Sequence, residues 1–342
     1  MATIYDVAKR AGVSVGTVSN VINNKRTVNP ALRSKVKEAM KEIGYVPNAT
    51  ARSLARGYNT SIGVLYPFNP NHVAGTSYLD FVSHLITYAQ LFQHQVVLYP
   101  STKPSSNIDD LQAIVRSRQV GSYILFEVEM EDRRVEYLRE NGLPFVMVGR
   151  TADCSGLAYV DADVAQIVRD GLEHLWEMGC RRIAHLGRSG SIGVDARIRA
   201  ALADECSRLG LELNPELCCV TDWDPEKRLT VVEHFIQRRR QFDAVFISEA
   251  AVRFQFVQEV LRAGLRIPED FMVLGYMGTS LDEMSHPSIT AFDVQADRIV
   301  ELAVATLLAK DNPSPGQVLV PGKLVVREST EKRNAYDDRL QT

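Results

Sequence analysis

The chain has 342 residues, a formal net charge of −3, 45% apolar residues and 24% charged residues. That length suggests two or three domains at about 100–200 residues each, and the composition excludes a disordered chain. No apolar run spans a bilayer, the opening MATIYDVAKR lacks an export core, and the five cysteines form no CxxC pair, so a cytoplasmic chain without membrane segments or a disulfide framework is expected.

The near-neutral total conceals an asymmetry. Residues 1–59 carry ten Lys/Arg and three Asp/Glu, a net +7, which leaves −10 on the rest. A basic head on an acidic body fits either a polyanion partner for the head or a solvated basic face. In the head, Thr3 precedes Ile4, Val7, Ala8 and Ala11 at helical spacing, and Gly12 ends the run. Ser14 then caps a second helix that carries Val15, Val18, Val21 and Ile22. Two short helices joined by a tight turn at Gly12-Val13 make the plan of a helix-turn-helix, whose second helix enters the major groove. Asn29-Pro30 starts a third helix, with a capping side chain and then proline at the first helical position. Its apolar positions are Leu32, Val36, Ala39, Met40 and Ile43, and Gly44 closes it. Asn48 caps a further helix of about two turns; so short a helix is marginal alone and needs a second copy or DNA, unless it is an ordinary linker.

Beyond Asn59 the pattern alternates between short β-rich runs and helices. Strands are predicted over 61–66, 95–99, 122–126 and 145–148, with helices over 78–92, 107–118 and 132–141. A second series follows, with strands over 182–186, 217–220, 244–247 and 272–274 and helices over 163–178, 196–209, 225–239 and 251–263. Such alternation means parallel sheets covered by helices, and two series make two similar lobes. Ligands bind off the carboxyl ends of such strands, here in the cleft between lobes. Phe68, Glu127, Arg150, Asp161, Arg188, Arg199, Trp223, Glu249 and Met277 lie at or just after predicted element boundaries and form the candidate effector site. No GxxxxGK[ST], HExxH or GxSxG motif is present, and the seven histidines are scattered. No catalytic set, metal site or cofactor is therefore expected.

The unbroken run from Thr3 to Gly57, TIYDVAKRAGVSVGTVSNVINNKRTVNPALRSKVKEAMKEIGYVPNATARSLARG, resembles the head of the lactose/galactose repressor (LacI/GalR) family. The body resembles that family's effector domain more loosely, through Val160-Asp161, the run from Gly179 to Ala184, the run from Gly264 to Asp270, Gly275-Tyr276 and the run from Val326 to Thr330. The resemblance implies an all-α helix-turn-helix head and an α/β two-lobed, periplasmic-binding-protein-like effector domain. Its three crossovers are expected near 158–160, 290–294 and 319–322. The corresponding division is a DNA-binding domain at 1–46, a hinge helix and linker at 47–59, an effector-binding and dimerisation domain at 60–330 and a polar tail at 331–342. By resemblance, Val15, Gly16 and Asn20 meet base edges, with Ala51 and the hinge wedge Leu54 in the minor groove. Thr3, Ser14, Thr17, Ser19, Asn23, Tyr45 and Asn48 hold phosphates.

The same resemblance assigns Arg199 to a ligand's hydroxyls or carboxylate, against a surface salt bridge, and Trp223 to stacking on a sugar or base, against simple packing. Four departures stand out, one of them Gly149-Arg150, where some relatives have Asp-Arg. Many relatives have Arg where this chain has Asn20, Asn-Asp where it has Glu249-Ala250, and Asp where it has Met277. The implied function is a sequence-specific transcriptional regulator, a repressor that binds a palindromic DNA operator as a homodimer. A small effector, a sugar or glycoside, would control it from the cleft. The alternatives are a body that answers a protein partner or no ligand, a solute-binding protein, and a sugar enzyme. The last two lack an export segment and a catalytic set respectively.

Overall fold

The computed structural model describes residues 2–22, 28–45, 60–67, 75–101, 108–188, 193–221, 225–309 and 316–331. The chain divides into two compact units at Thr60/Ser61.

In the head, α1 (Ile4–Ala11), α2 (Val15–Ile22) and α3 (Pro30–Glu42) follow the expected starts and stops. Thr3 and Asp6 form a reciprocal capping box on α1: Thr3 Oγ1 accepts from Asp6 N, and the Asp6 carboxylate accepts from Thr3 N at 2.8 Å. Gly12 closes the helix at φ 61°, a left-handed conformation that glycine adopts without a Cβ penalty. Ser14 Oγ accepts from Thr17 N at 3.1 Å at the start of α2, and Asn29 Oδ1 accepts from Ala31 N at 2.9 Å at the start of α3. Val7, Ala8, Ala11, Val18, Val21, Val36 and Ala39 make the buried core. Leu32 departs from expectation: it shares a face with Val36 but lies a turn ahead of the buried stripe, and it stays 39% exposed.

The body contains two six-stranded sheets. The first has the order β11-β5-β4-β3-β1-β2, from β1 (Ser61–Pro67), β2 (Gln95–Ser101), β3 (Ser122–Leu125), β4 (Phe145–Val148), β5 (Tyr159–Ala162) and β11 (Gln317–Val320). All its pairings are parallel. The second has the order β12-β10-β9-β8-β6-β7, from β6 (Arg182–Arg188), β7 (Glu212–Thr221), β8 (Ala244–Ile247), β9 (Met272–Gly275), β10 (Thr290–Asp293) and β12 (Lys323–Val325). Only β12 runs antiparallel. Strand β7 begins five residues before the predicted start and contains Pro215, which an edge strand tolerates because its outer N–H positions need no ladder partner.

The connecting helices are α4 (Gly75–Leu91), α5 (Ile108–Ser117), α6 (Arg133–Glu140), α7 (Val164–Glu177), α8 (Gly193–Leu209), α9 (Pro225–Gln237), α10 (Ala250–Arg262), α11 (Ser280–Met284) and α12 (Ala296–Leu308). The chain passes between sheets after β5, after β10 and between β11 and β12. The first passage lies at Asp163, a few residues beyond the expected 158–160, because β5 continues to Ala162 before Asp163 caps α7. The third falls at 321–322, where Gln166 bonds both Gly322 N (2.8 Å) and Gly322 O (3.2 Å). A Cβ on Gly322 would sit 2.5 Å from Ile167 Cγ1, so this crossing requires glycine. One apolar cluster draws on both lobes, from Ile62 and Val146 to Phe246 and Phe292.

Candidate functional site

Within the head, α2 carries five of the residues expected to meet DNA, together with Ser14 just before it. Gly16 and Ser14 are exposed, while Val15, Thr17, Ser19 and Asn20 are half-buried. Val18 and Val21, on the opposite side, anchor the helix in the core. An exposed helix start carrying hydroxyls suits phosphate, because unpaired N–H groups and the helix dipole favour an anion there. The hydroxyl of Thr3 is engaged by Asp6 at 2.7 Å, and Tyr45 is half-buried against the core. Asn23, Asn48, Ala51 and Leu54 lie outside the described residues, as does the predicted hinge helix.

In the body, the strand ends of the two sheets bring Glu127, Arg150, Asp161 and Met277 around a cavity of about 120 Å³. Phe81, Phe126, Val128, Val148, Val194, Tyr276, Val294 and Ile299 complete a largely apolar lining. Arg150 Nε donates to Asp161 Oδ2 at 2.9 Å, and its guanidinium lies 5.6 Å from the Tyr159 ring centre. Burial pushes the Asp161 carboxyl above its ordinary value, against the pull of Arg150. Arg188, at the end of β6, donates to Glu127 at 2.8 Å and lies 3.9 Å from Glu249. Glu249 also caps α10, and its carboxyl is pushed up by burial and by the nearby Asp195 and Glu127, with Arg188 opposing. Arg199 is half-buried, and its charge acts on His185 and Asp195 without lining the cavity. Phe68 and Trp223 lie outside the described residues.

Two fully buried arginines fix the loops that carry these side chains. Arg134 makes two bonds to Asp132, at 3.0 and 2.6 Å, and donates to Phe126 O and Glu127 O. Arg253 makes two bonds to Asp282, both 2.7 Å, and donates to Ile247 O and Met277 O. Each lobe thus holds one cleft loop by its carbonyls with a charge-paired guanidinium, a geometry that suits arginine's planar fork.

The sequence did not single out Asp195, Arg197, Arg134 or Arg253. Arg197 and Arg199 stand two apart on α8, and spacing alone does not say which of the two faces the cleft. Arg197 Nη2 donates to Arg150 O (2.5 Å) and Thr151 O (3.1 Å), while its buried Nη1 has no hydrogen-bond partner. Among the described residues no His/Cys/Asp/Glu group has metal-site geometry, and no helix is long and apolar enough to cross a membrane.

Comparison with known proteins agrees with this arrangement. Residues 3–48 match the model of bacterial regulatory proteins of the lacI family, and residues 172–330 match that of the periplasmic binding protein-like domain. Catabolite control protein A of Priestia megaterium is 24% identical over 335 residues, covering 96% of this chain and 99% of that protein. Catabolite control protein A of Staphylococcus xylosus is 25% identical over 334 residues, with the same coverage. The solved CelR–cellobiose complex superposes with a TM-score of 0.71 at 25% identity, over 96% of this chain and all of that one. The lac repressor dimer bound to operator and the anti-inducer ONPF superposes with a TM-score of 0.81 at 24% identity, over 97% and 99%. The chain thus carries a lacI-family helix-turn-helix head and a periplasmic-binding-protein-like body, and over nearly its whole length it is similar to transcriptional regulators built the same way.

Proposed function

We propose that this regulator is a cytoplasmic repressor that binds a palindromic operator as a homodimer, under control of a carbohydrate-type effector in the interlobe cleft. The observation that carries the effector reading is one cavity lined by Glu127, Arg150 and Asp161 of the first lobe and by Tyr276 and Met277 of the second, with Arg188 of the second lobe paired to Glu127 at its wall. CelR bound to cellobiose supports a sugar, and the lac repressor dimer on operator supports a two-fold DNA complex. Exposed apolar residues support a dimer: Leu79, Ile86 and Leu91 on α4 with Leu98 on the edge strand β2, and Val220, Leu229, Phe254 and Leu261 in the second lobe. The proposed division keeps the DNA-binding domain at 1–46, the hinge at 47–59, the effector domain at 60–330 and a polar tail at 331–342.

In this reading Val15, Gly16 and Asn20 contact bases, together with Ala51 and Leu54. Thr3, Ser14, Thr17, Ser19, Asn23, Tyr45 and Asn48 hold phosphates. Glu127, Arg150, Asp161 and Met277 line the effector cavity, Arg188 and Glu249 join it through Glu127, and Phe68, Arg199 and Trp223 complete the proposed effector set. A ligand that favours one lobe angle shifts the population of DNA-competent dimers.

The test of the head is a randomised-site selection with the wild type and Asn20→Arg. Asparagine reads adenine and arginine reads guanine, each good pair discriminating by about 1–3 kcal/mol. The variant is expected to shift half-site preference toward guanine while its non-specific affinity changes little; an unchanged preference removes Asn20 from the reading set. The test of the body is a melting-temperature screen of the full chain against sugars, glycosides and sugar phosphates. A saturable rise with one class assigns the effector, and no shift with any of them favours a protein partner.

A further inference from the structure

We propose that Glu127 is a latch residue that holds the ligand-free cleft closed, and that an effector acts by taking over its bond to Arg188. The proposal rests on the reading of the cleft as the effector site. Glu127 follows β3 in the first lobe, whereas Arg188 ends β6 in the second, so their 2.8 Å ion pair crosses the cleft. Both side chains are 8% exposed, which makes this a desolvated pair and not a surface contact.

Three further observations mark the pair as a built device. Glu127 has φ 49°, in the left-handed region that a residue with a long side chain occupies only under constraint. The constraint is visible: Arg134 Nη2 grips the carbonyls of Phe126 and Glu127, at 3.1 and 3.0 Å, and is itself locked on Asp132. Beside the pair, Gly193 N at the start of α8 donates to Val128 O at 2.9 Å, a backbone bond between lobes. A Cβ on Gly193 would lie 2.6 Å from Arg150 O and 2.7 Å from Arg197 Nη1, so this approach is open to glycine and to nothing larger. The strained Glu127 and the bare Gly193 thus serve the same closed geometry from opposite walls.

Opening the lobes strips Arg188 of an acceptor and leaves the Glu127 carboxylate without that donor. A ligand that substitutes for the pair must therefore offer an acceptor to Arg188 and a donor to Glu127 at neighbouring positions. Adjacent hydroxyl groups do this; a purely apolar compound or a simple anion does not.

The Gly193 amide gives a direct readout, because its bond to Val128 O exists only while the lobes are closed. Amide hydrogen exchange on the full chain, resolved at Gly193, is compared between wild type, Glu127→Gln and Glu127→Gly. The glycine variant keeps the left-handed backbone free of strain and removes only the side chain. Both variants are expected to speed exchange at Gly193 by about tenfold or more, with amides of the sheet cores unchanged. Gly193→Ala is expected to lose the protection of its own amide by a separate route, through the clash with Arg150 O. Unchanged exchange at residue 193 in both Glu127 variants overturns the latch, and so does a uniform rise across the cores. Operator affinity, read by anisotropy on the same samples, separates the two readings. Faster exchange at unaltered operator affinity keeps the latch and defeats the effector-site reading. Unaltered exchange in a chain whose melting temperature rises with a sugar defeats the latch alone.

Discussion

Arg253→Leu is expected to lower the unfolding free energy of the body by about 3–5 kcal/mol, because removing one partner of a buried ion pair strands the other. Arg253 has no exposed surface, and Asp282 is 5% exposed. Without the guanidinium, Asp282 retains Thr279 N and Thr279 Oγ1, at 2.7 and 2.9 Å, but loses both charge-assisted bonds. The carbonyls of Ile247 and Met277 lose a donor at the same time. Adding Asp282→Asn removes the stranded charge while keeping an acceptor for Thr279, so the double variant is expected to regain about 1–2 kcal/mol of the loss. Denaturant unfolding of the three proteins measures this; a single-variant loss below about 1 kcal/mol contradicts the clamp. The acid limb changes too. Burial pushes the Asp282 carboxyl up, but Arg253 and Thr279 outweigh it and hold it below the ordinary carboxylate value. A depressed carboxyl adds stability above its unfolded-state value and loses it as pH falls through the folded one. Arg253→Leu removes that contribution, so its stability should depend less steeply on pH in the acid range.

His185 is expected to cost the body on the order of 3 kcal/mol as pH falls from about 6.5 to about 4. The ring is 1% exposed in the middle of β6, and burial, helped by the charge of Arg199, lowers it from the ordinary 6.5 to about 4. Its Nε2 lies 3.1 Å from Ser248 Oγ, while Nδ1 has no partner, so the neutral ring is the form the fold accepts. The sign follows from the depressed value: the unfolded chain takes up a proton first. The contribution is therefore complete above the unfolded value and is lost as pH falls toward the folded one. Unfolding of the wild type and His185→Gln at pH 7.0 and pH 4.5 isolates it from the carboxylates, which titrate in both proteins. Equal acid losses in the two would show that His185 is not the group responsible.

The head was legible in detail because each helix carries its own punctuation. Thr3, Ser14 and Asn29-Pro30 start the three helices, and Gly12 and Gly44 end the first and third. The alternation of the body was legible as well, but β5, β10, β11, β12, α11 and α12 were not predicted as elements. Those strands run three or four residues and each carries a charged or amide side chain (Asp161, Asp293, Gln317 and Lys323), whereas the equally short β3, β4, β8 and β9 carry none and read as apolar runs. Strand ends led to Glu127, Arg150 and Met277, since position along a parallel sheet is readable from its pattern, whereas Asp161 was marked by the start of the helix predicted at 163. Arg134 and Arg253 escaped because an arginine on a helix reads as solvated. What buries Arg253 is Asp282, twenty-nine residues downstream, and a pairing at that range has no local signal.

The route of the chain through the two sheets sets an order of synthesis. Strand β11 pairs with β5, Gln317 beside Tyr159, and α12 lies against α4, β4 and β5. The first lobe therefore takes its last strand and one of its covering helices from residues that follow the whole sheet core of the second. About 155 residues separate Ala162 from Gln317, so a ribosome adding about 5–20 residues per second leaves the β5 edge unpaired for roughly ten to thirty seconds. The head, built from three neighbouring helices, has no such wait. A nascent chain stalled before Gln317 would present a complete helix-turn-helix ahead of a body whose two sheets each lack one edge strand.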